Sequence, residues 1–151
     1  MEYAHTVLAL AALVLGGIQM ARRKSGGAHR RLGQAYVGAM ALTALSSFFL
    51  TGLTGGMNGL HVLSVWTLIT LAISIRARRR GNIMGHGYSM IMLYGGLLTA
   101  GLFAAQRHGL DLPVWLVVGM LVAMWAGLLV MAERMRRRFS RRGETADAAA
   151  A

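Results

Sequence analysis

The chain has 151 residues, is 56% hydrophobic and carries a formal net charge of +11. A soluble domain of this size needs more surface charge, and here the apolar residues run in long blocks, the pattern of membrane spans. With no cysteine in the chain, disulfides, thiol redox chemistry and thiolate metal sites are excluded.

A spanning helix needs roughly 20 mostly apolar residues. Five stretches meet this, 3–20, 36–53, 60–75, 88–105 and 113–131. The third is the shortest and must lengthen at one end or tilt little. The predicted fold is an all-α membrane protein with five transmembrane helices in residues 1–132. A basic juxtamembrane segment and disordered tail follow in residues 133–151.

The first span has Glu2 and no basic residue ahead of it, so it reads as an uncleaved anchor. His5, Ala9, Ala12 and Gly16 share one face of it. A small-residue stripe of this kind lets a neighbouring helix approach closely. The loop at 22–34 holds Arg22, Arg23, Lys24, Arg30 and Arg31. Helix 2 starts near His29, with Gly33, Tyr36 and Met40 on the same face. Ser46 and Ser47 lie deeper and can bond back to their own helix's carbonyls. The connection at 54–59 fits a tight antiparallel turn.

Helix 3 opens with His61, and the spacing puts Val65, Leu68 and Ala72 on its face. Trp66 suits the membrane interface. The next loop carries Arg76, Arg78, Arg79 and Arg80. His86 then opens helix 4, with Met90, Leu93 and Leu97 on its face. His108 falls in a loop and reads as solvated. Pro113 starts helix 5, where Gly119, Ala123 and Gly127 form a small-residue ridge for packing on the bundle or on a second copy. The tail adds Arg134, Arg136, Arg137, Arg138, Arg141 and Arg142.

If the spans alternate, every basic residue except Arg107 falls on one side. This positive-inside pattern predicts an inner (cytoplasmic) membrane protein with its N-terminus outside and its C-terminus cytoplasmic. The basic loops are then orientation signals in contact with the lipid bilayer, and no nucleic-acid partner is expected. The tail run can also hold anionic lipid.

Four histidines begin four helices. His61 follows His5 at almost the same spacing as His86 follows His29. That predicts a duplicated hairpin, with halves at about 3–54 and 59–106 and the helix at 113–132 outside the repeat. His5 and His29 lie at opposite ends of one hairpin, separated by about 30 Å of hydrocarbon. The permitted pairs are therefore His5 with His61 outside and His29 with His86 inside. Such a pair, facing across a four-helix core, can clamp a haem iron axially. It can also begin a metal site that two ligands do not complete. Arg30 and Arg31, with Arg78, Arg79 and Arg80 opposite, can pair haem propionates on the inner side. Arg107 and Tyr3 are the outer candidates. The plainer alternative stays open, since a first-turn histidine can also sit in the headgroup layer or cap a neighbour's carbonyl. Met90, Met92, Met120 and Met124 read as packing. Glu2, Asp111, Glu133, Glu144 and Asp147 are terminal or in loops, so the intramembrane carboxylate of an ion-coupled transporter is missing.

The segments His29-Arg30-Arg31-Leu32-Gly33-Gln34-Ala35-Tyr36-Val37, His61-Val62-Leu63-Ser64 and Gly85-His86-Gly87-Tyr88-Ser89-Met90, followed by Gly95-Gly96-Leu97 and Ala100-Gly101-Leu102-Phe103, resemble a bacterial family of small predicted membrane proteins of unknown function. The resemblance spans helices 2 to 4. It implies a multi-helix inner-membrane protein and draws attention to His29, His61 and His86. The two-sided layout of paired histidines is also similar in architecture to transmembrane di-haem b-type cytochromes, a likeness that fixes no function.

Three functions are expected to compete. The first is a b-type haem-binding electron-transfer protein using His5, His61, His29 and His86, exchanging electrons with a quinol or a partner subunit. The second is a cofactor-free structural or accessory subunit, packing as a homo-oligomer through helix 5. The third is a metal-binding or small-molecule membrane carrier using the same histidines.

Overall fold

A computed structural model describes residues 2–22, 26–50, 59–107, 109 and 112–150. The described residues form five helices: α1 Glu2–Ala21, α2 Gly26–Ser47, α3 Gly59–Arg79, α4 Ile83–Arg107 and α5 Val114–Ala150. Residues 54–58 of the tight turn expected at 54–59 and the loop histidine His108 lie outside the described residues. The chain divides into two compact units, Met1–Ala72 and Ile73–Ala151.

Three helical segments are long and apolar enough to cross a membrane: Glu2–Ala21, Ile83–Gln106 and Val114–Arg134. α2 and α3 have spanning length, at 22 and 21 residues, but a more polar composition. The reason lies in what they bury. Thr43 and Ser47 of α2 are buried, as are His61, Ser64 and Ser74 of α3. Large apolar side chains instead line the outside, among them Val7, Leu10 and Val14 of α1 and Val118, Val122 and Leu129 of α5. In water such surfaces would associate, whereas a bilayer solvates them.

In the first unit α1 packs on α2. Ala12 and Gly16 are buried on α1, and Tyr36, Ala39, Met40, Thr43, Ala44 and Ser47 on α2. The α2 positions repeat at three and four residues, one helical face. The small residues on the two faces let the helices approach closely.

The α3 to α4 connection, residues 80–82, turns on Gly81 and Asn82. Gly81 takes φ of 75°, a left-handed conformation open to glycine without a Cβ clash. Asn82 N–H then bonds the Ala77 carbonyl at 2.9 Å and Gly81 N–H the Arg78 carbonyl at 3.2 Å, closing α3 with a Schellman motif. The Asn82 side chain immediately caps α4, accepting from Gly85 N–H at 2.7 Å. A Cβ at position 85 would sit 2.8 Å from that side chain, so the cap needs glycine there.

In the second unit α4 packs on α5. A Cβ at Gly95 would lie 2.8 Å from Leu128 and 3.0 Å from Trp125, and Trp125 Nε1–H donates to Thr99 Oγ1 at 3.3 Å. The α5 ridge of small residues is therefore not the face that packs on α4. Gly119, Ala123 and Gly127 are all exposed, and α5 meets α4 through Trp125 and Leu128 because the narrow residue, Gly95, is on α4. The α3 face also differs from the expected one. His61, Ser64, Leu71 and Ser74 are buried, while Val65 and Ala72 are exposed. Buried serine hydroxyls need hydrogen-bond partners, and that need favours this rotation of the helix. The helical backbone of α5 runs on through Ala150, into the stretch where composition predicts disorder. Alanine is the strongest helix former, so the two tendencies compete there.

Candidate functional site

Each of the four histidines lies in the first turn of its helix. What differs is the group that holds the imidazole. His5 Nδ1 is 2.9 Å from Ser46 Oγ. Ser46 Oγ donates to the Thr43 carbonyl at 2.9 Å, so its one proton is already used. The hydroxyl oxygen must accept, and His5 Nδ1–H donates. The neutral His5 ring then carries its lone pair on Nε2, the tautomer set by a hydrogen bond at the other nitrogen.

His61 reaches the same end of α2. Its ring is buried and lies 5.6 Å from the Phe48 ring, centre to centre. One turn further along α3, Ser64 Oγ is 2.5 Å from Ser47 Oγ. Ser47 Oγ also donates to the Ala44 carbonyl at 2.7 Å. Ser46, Ser47 and Phe48 thus bring residues of α1 and α3 to the C-terminal end of α2. Of the two histidine pairs expected from spacing, His5 and His61 each meet the C-terminal end of α2 within one unit.

At the other end of the α1–α2 hairpin, one amide grips His29 twice. Gln19 Nε2 lies 2.7 Å from His29 Nδ1 and 2.9 Å from the His29 carbonyl oxygen. A carbonyl oxygen only accepts, which fixes the amide with its NH2 toward His29. Its second N–H then points at Nδ1, so Nδ1 accepts and the neutral ring keeps its proton on Nε2. Gly33, one turn along α2, makes room for this reach, since a Cβ there would come within 3.1 Å of Gln19 Nε2. Arg30 and Arg31 follow on the exposed side of the same turn.

His86 has a corresponding brace in the second unit. Ser74, fully buried, donates from Oγ to the His86 carbonyl at 3.3 Å. His86 Nδ1 lies 3.1 Å from the Ser74 carbonyl and 2.9 Å from Ser74 Oγ. Facing a carbonyl, Nδ1 must carry the proton. His29 belongs to the first unit and His86 to the second.

Gln19 was not legible as a site residue from spacing. Its one signal is being the only amide in an otherwise apolar first span. Among the described residues no three His, Cys, Asp or Glu side chains gather into a possible metal centre. A haem needs two axial ligands, a smaller demand on the side chains.

Compared with known protein families, residues 2–112 match the family described as Predicted membrane protein (DUF2306). The chain belongs to that family. The DUF2306 match takes in α1 to α4 with all four helix-opening histidines and stops before α5. No curated protein and no solved structure matches this DUF2306 member.

Proposed function

We propose that this DUF2306 protein crosses the bacterial inner membrane five times, N-terminus outside and C-terminus cytoplasmic, and binds b-type haem as an electron-transfer protein. Its first four helices act as a duplicated hairpin, and α5 is an added helix whose exposed ridge serves a second copy. The positive-inside distribution of arginines supports the orientation. The repeated brace supports the duplication: in each hairpin a polar side chain near the end of one helix binds both the carbonyl and Nδ1 of the histidine that opens the next.

The observation that carries the haem reading is the His5 ring, held at Nδ1 by Ser46 at the same helix end as His61. Metal-bound histidines characteristically donate their second ring N–H to an oxygen in this way. His5 and His61 would hold the group. Bound haem would supply one-electron chemistry. The chain orients the ligand rings and excludes water, and electrons pass to or from a quinol or a partner subunit.

A reduced-minus-oxidised visible spectrum of the protein purified from haem-replete cells tests this. The expected result is b-type haem bands that vanish in His5→Ala and in His61→Ala. Absence of bands in the unaltered protein would remove the reading and leave a cofactor-free membrane subunit or, if metal analysis is positive, a metal-binding carrier.

A further inference from the structure

We infer that Gln19 is a positioning residue that makes His29 a hydrogen-bond donor rather than a ligand, so that the chain takes up a single haem, between His5 and His61. The haem part of this inference rests on the reading above, whereas the state of the His29 ring does not.

The chain of reasoning is short. An imidazole binds iron through a nitrogen with an available lone pair. In the neutral ring that nitrogen is the one opposite the hydrogen-bonded N–H. Ser46 at His5 and the Ser74 carbonyl at His86 are acceptors toward Nδ1, which leaves the lone pair on Nε2. Gln19 at His29 is a donor toward Nδ1, which leaves the proton on Nε2. Rotating the amide by half a turn would bring its oxygen against the His29 carbonyl oxygen, now bonded to Nε2 of Gln19 at 2.9 Å, so the backbone prevents that escape. Gly33 keeps the space beside Nε2 of Gln19 clear for the amide to stay. The proton on Nε2 removes His29 as a ligand.

Histidine-selective 15N NMR on the full chain in nanodiscs, at a pH where the rings are neutral, reads the tautomer directly. His29→Ala assigns the signal. The expected result is a bare, hydrogen-bonded Nδ1 and a protonated Nε2 for His29, and the reverse for His5 and His86. Gln19→Glu replaces the donor by an acceptor of the same size and should move the His29 proton to Nδ1. If that variant does not fold, the tautomer of the unaltered protein still decides. Haem titration should saturate at one equivalent per chain, unchanged in His29→Ala and lost in His5→Ala. A protonated Nδ1 on His29 in the unaltered protein, or loss of haem in His29→Ala, would overturn the inference. No haem uptake by any form would instead reject the haem reading and, with it, the single-site assignment, while leaving the tautomer result standing.

Discussion

The starts of α2 and α4 use the same brace for opposite ends. In both, a side chain from the preceding helix bonds the carbonyl of the histidine that opens the next, and the same residue meets Nδ1. At α4 the residue is serine, whose carbonyl accepts the ring proton. At α2 it is glutamine, whose amide N–H donates to the ring nitrogen. Two helix starts that match in sequence position therefore present different chemistry at Nε2. A histidine's role follows from the donor or acceptor character of its neighbour, and spacing alone does not carry that information.

Substitutions can test the contrast, beginning with the largest effect. Gln19→Leu removes both bonds to His29 and should lower stability by about 1–2 kcal/mol, near the upper end for buried polar contacts between membrane helices. Denaturation in mixed micelles measures it. Ser74→Ala removes only the hydroxyl. The carbonyl bond to His86 Nδ1 remains, so the loss should be about 0.6 kcal/mol, with the His86 tautomer unchanged by 15N NMR. An equal loss at both sites would mean that the braces do not differ as described. Gly33→Ala should have the smallest effect. Alanine favours the helix by up to about 1 kcal/mol, and the tight contact with Gln19 Nε2 at 3.1 Å opposes this. The net change should stay within about 1 kcal/mol, and the His29 signal should shift while keeping its tautomer.

The sequence made the helices and their histidine-led starts legible, because apolar blocks and first-turn residues are local features. The buried face of α1 and α2, with Ala12, Gly16, Tyr36 and Met40, was legible from helical periodicity. The α3 face was not. A helix apolar on most sides has little amphipathic signal, and the partner of Ser64 lies on another helix. Which stripe packs α5 on α4 was not legible either, because small residues occur on several helices and only the placement of Gly95 against Trp125 and Leu128 decides it. Gln19 was hidden for a similar reason. Its amide acts on a histidine ten positions later, across a turn whose geometry periodicity does not describe.

Asn82 ends one helix and begins the next with no residue to spare. One inserted amino acid beside it would swing everything downstream by about 100° around the helix axis, carrying His86 away from Ser74. Reporter tags and fusion joints therefore belong elsewhere in the chain, and natural length variation among relatives should avoid this corner.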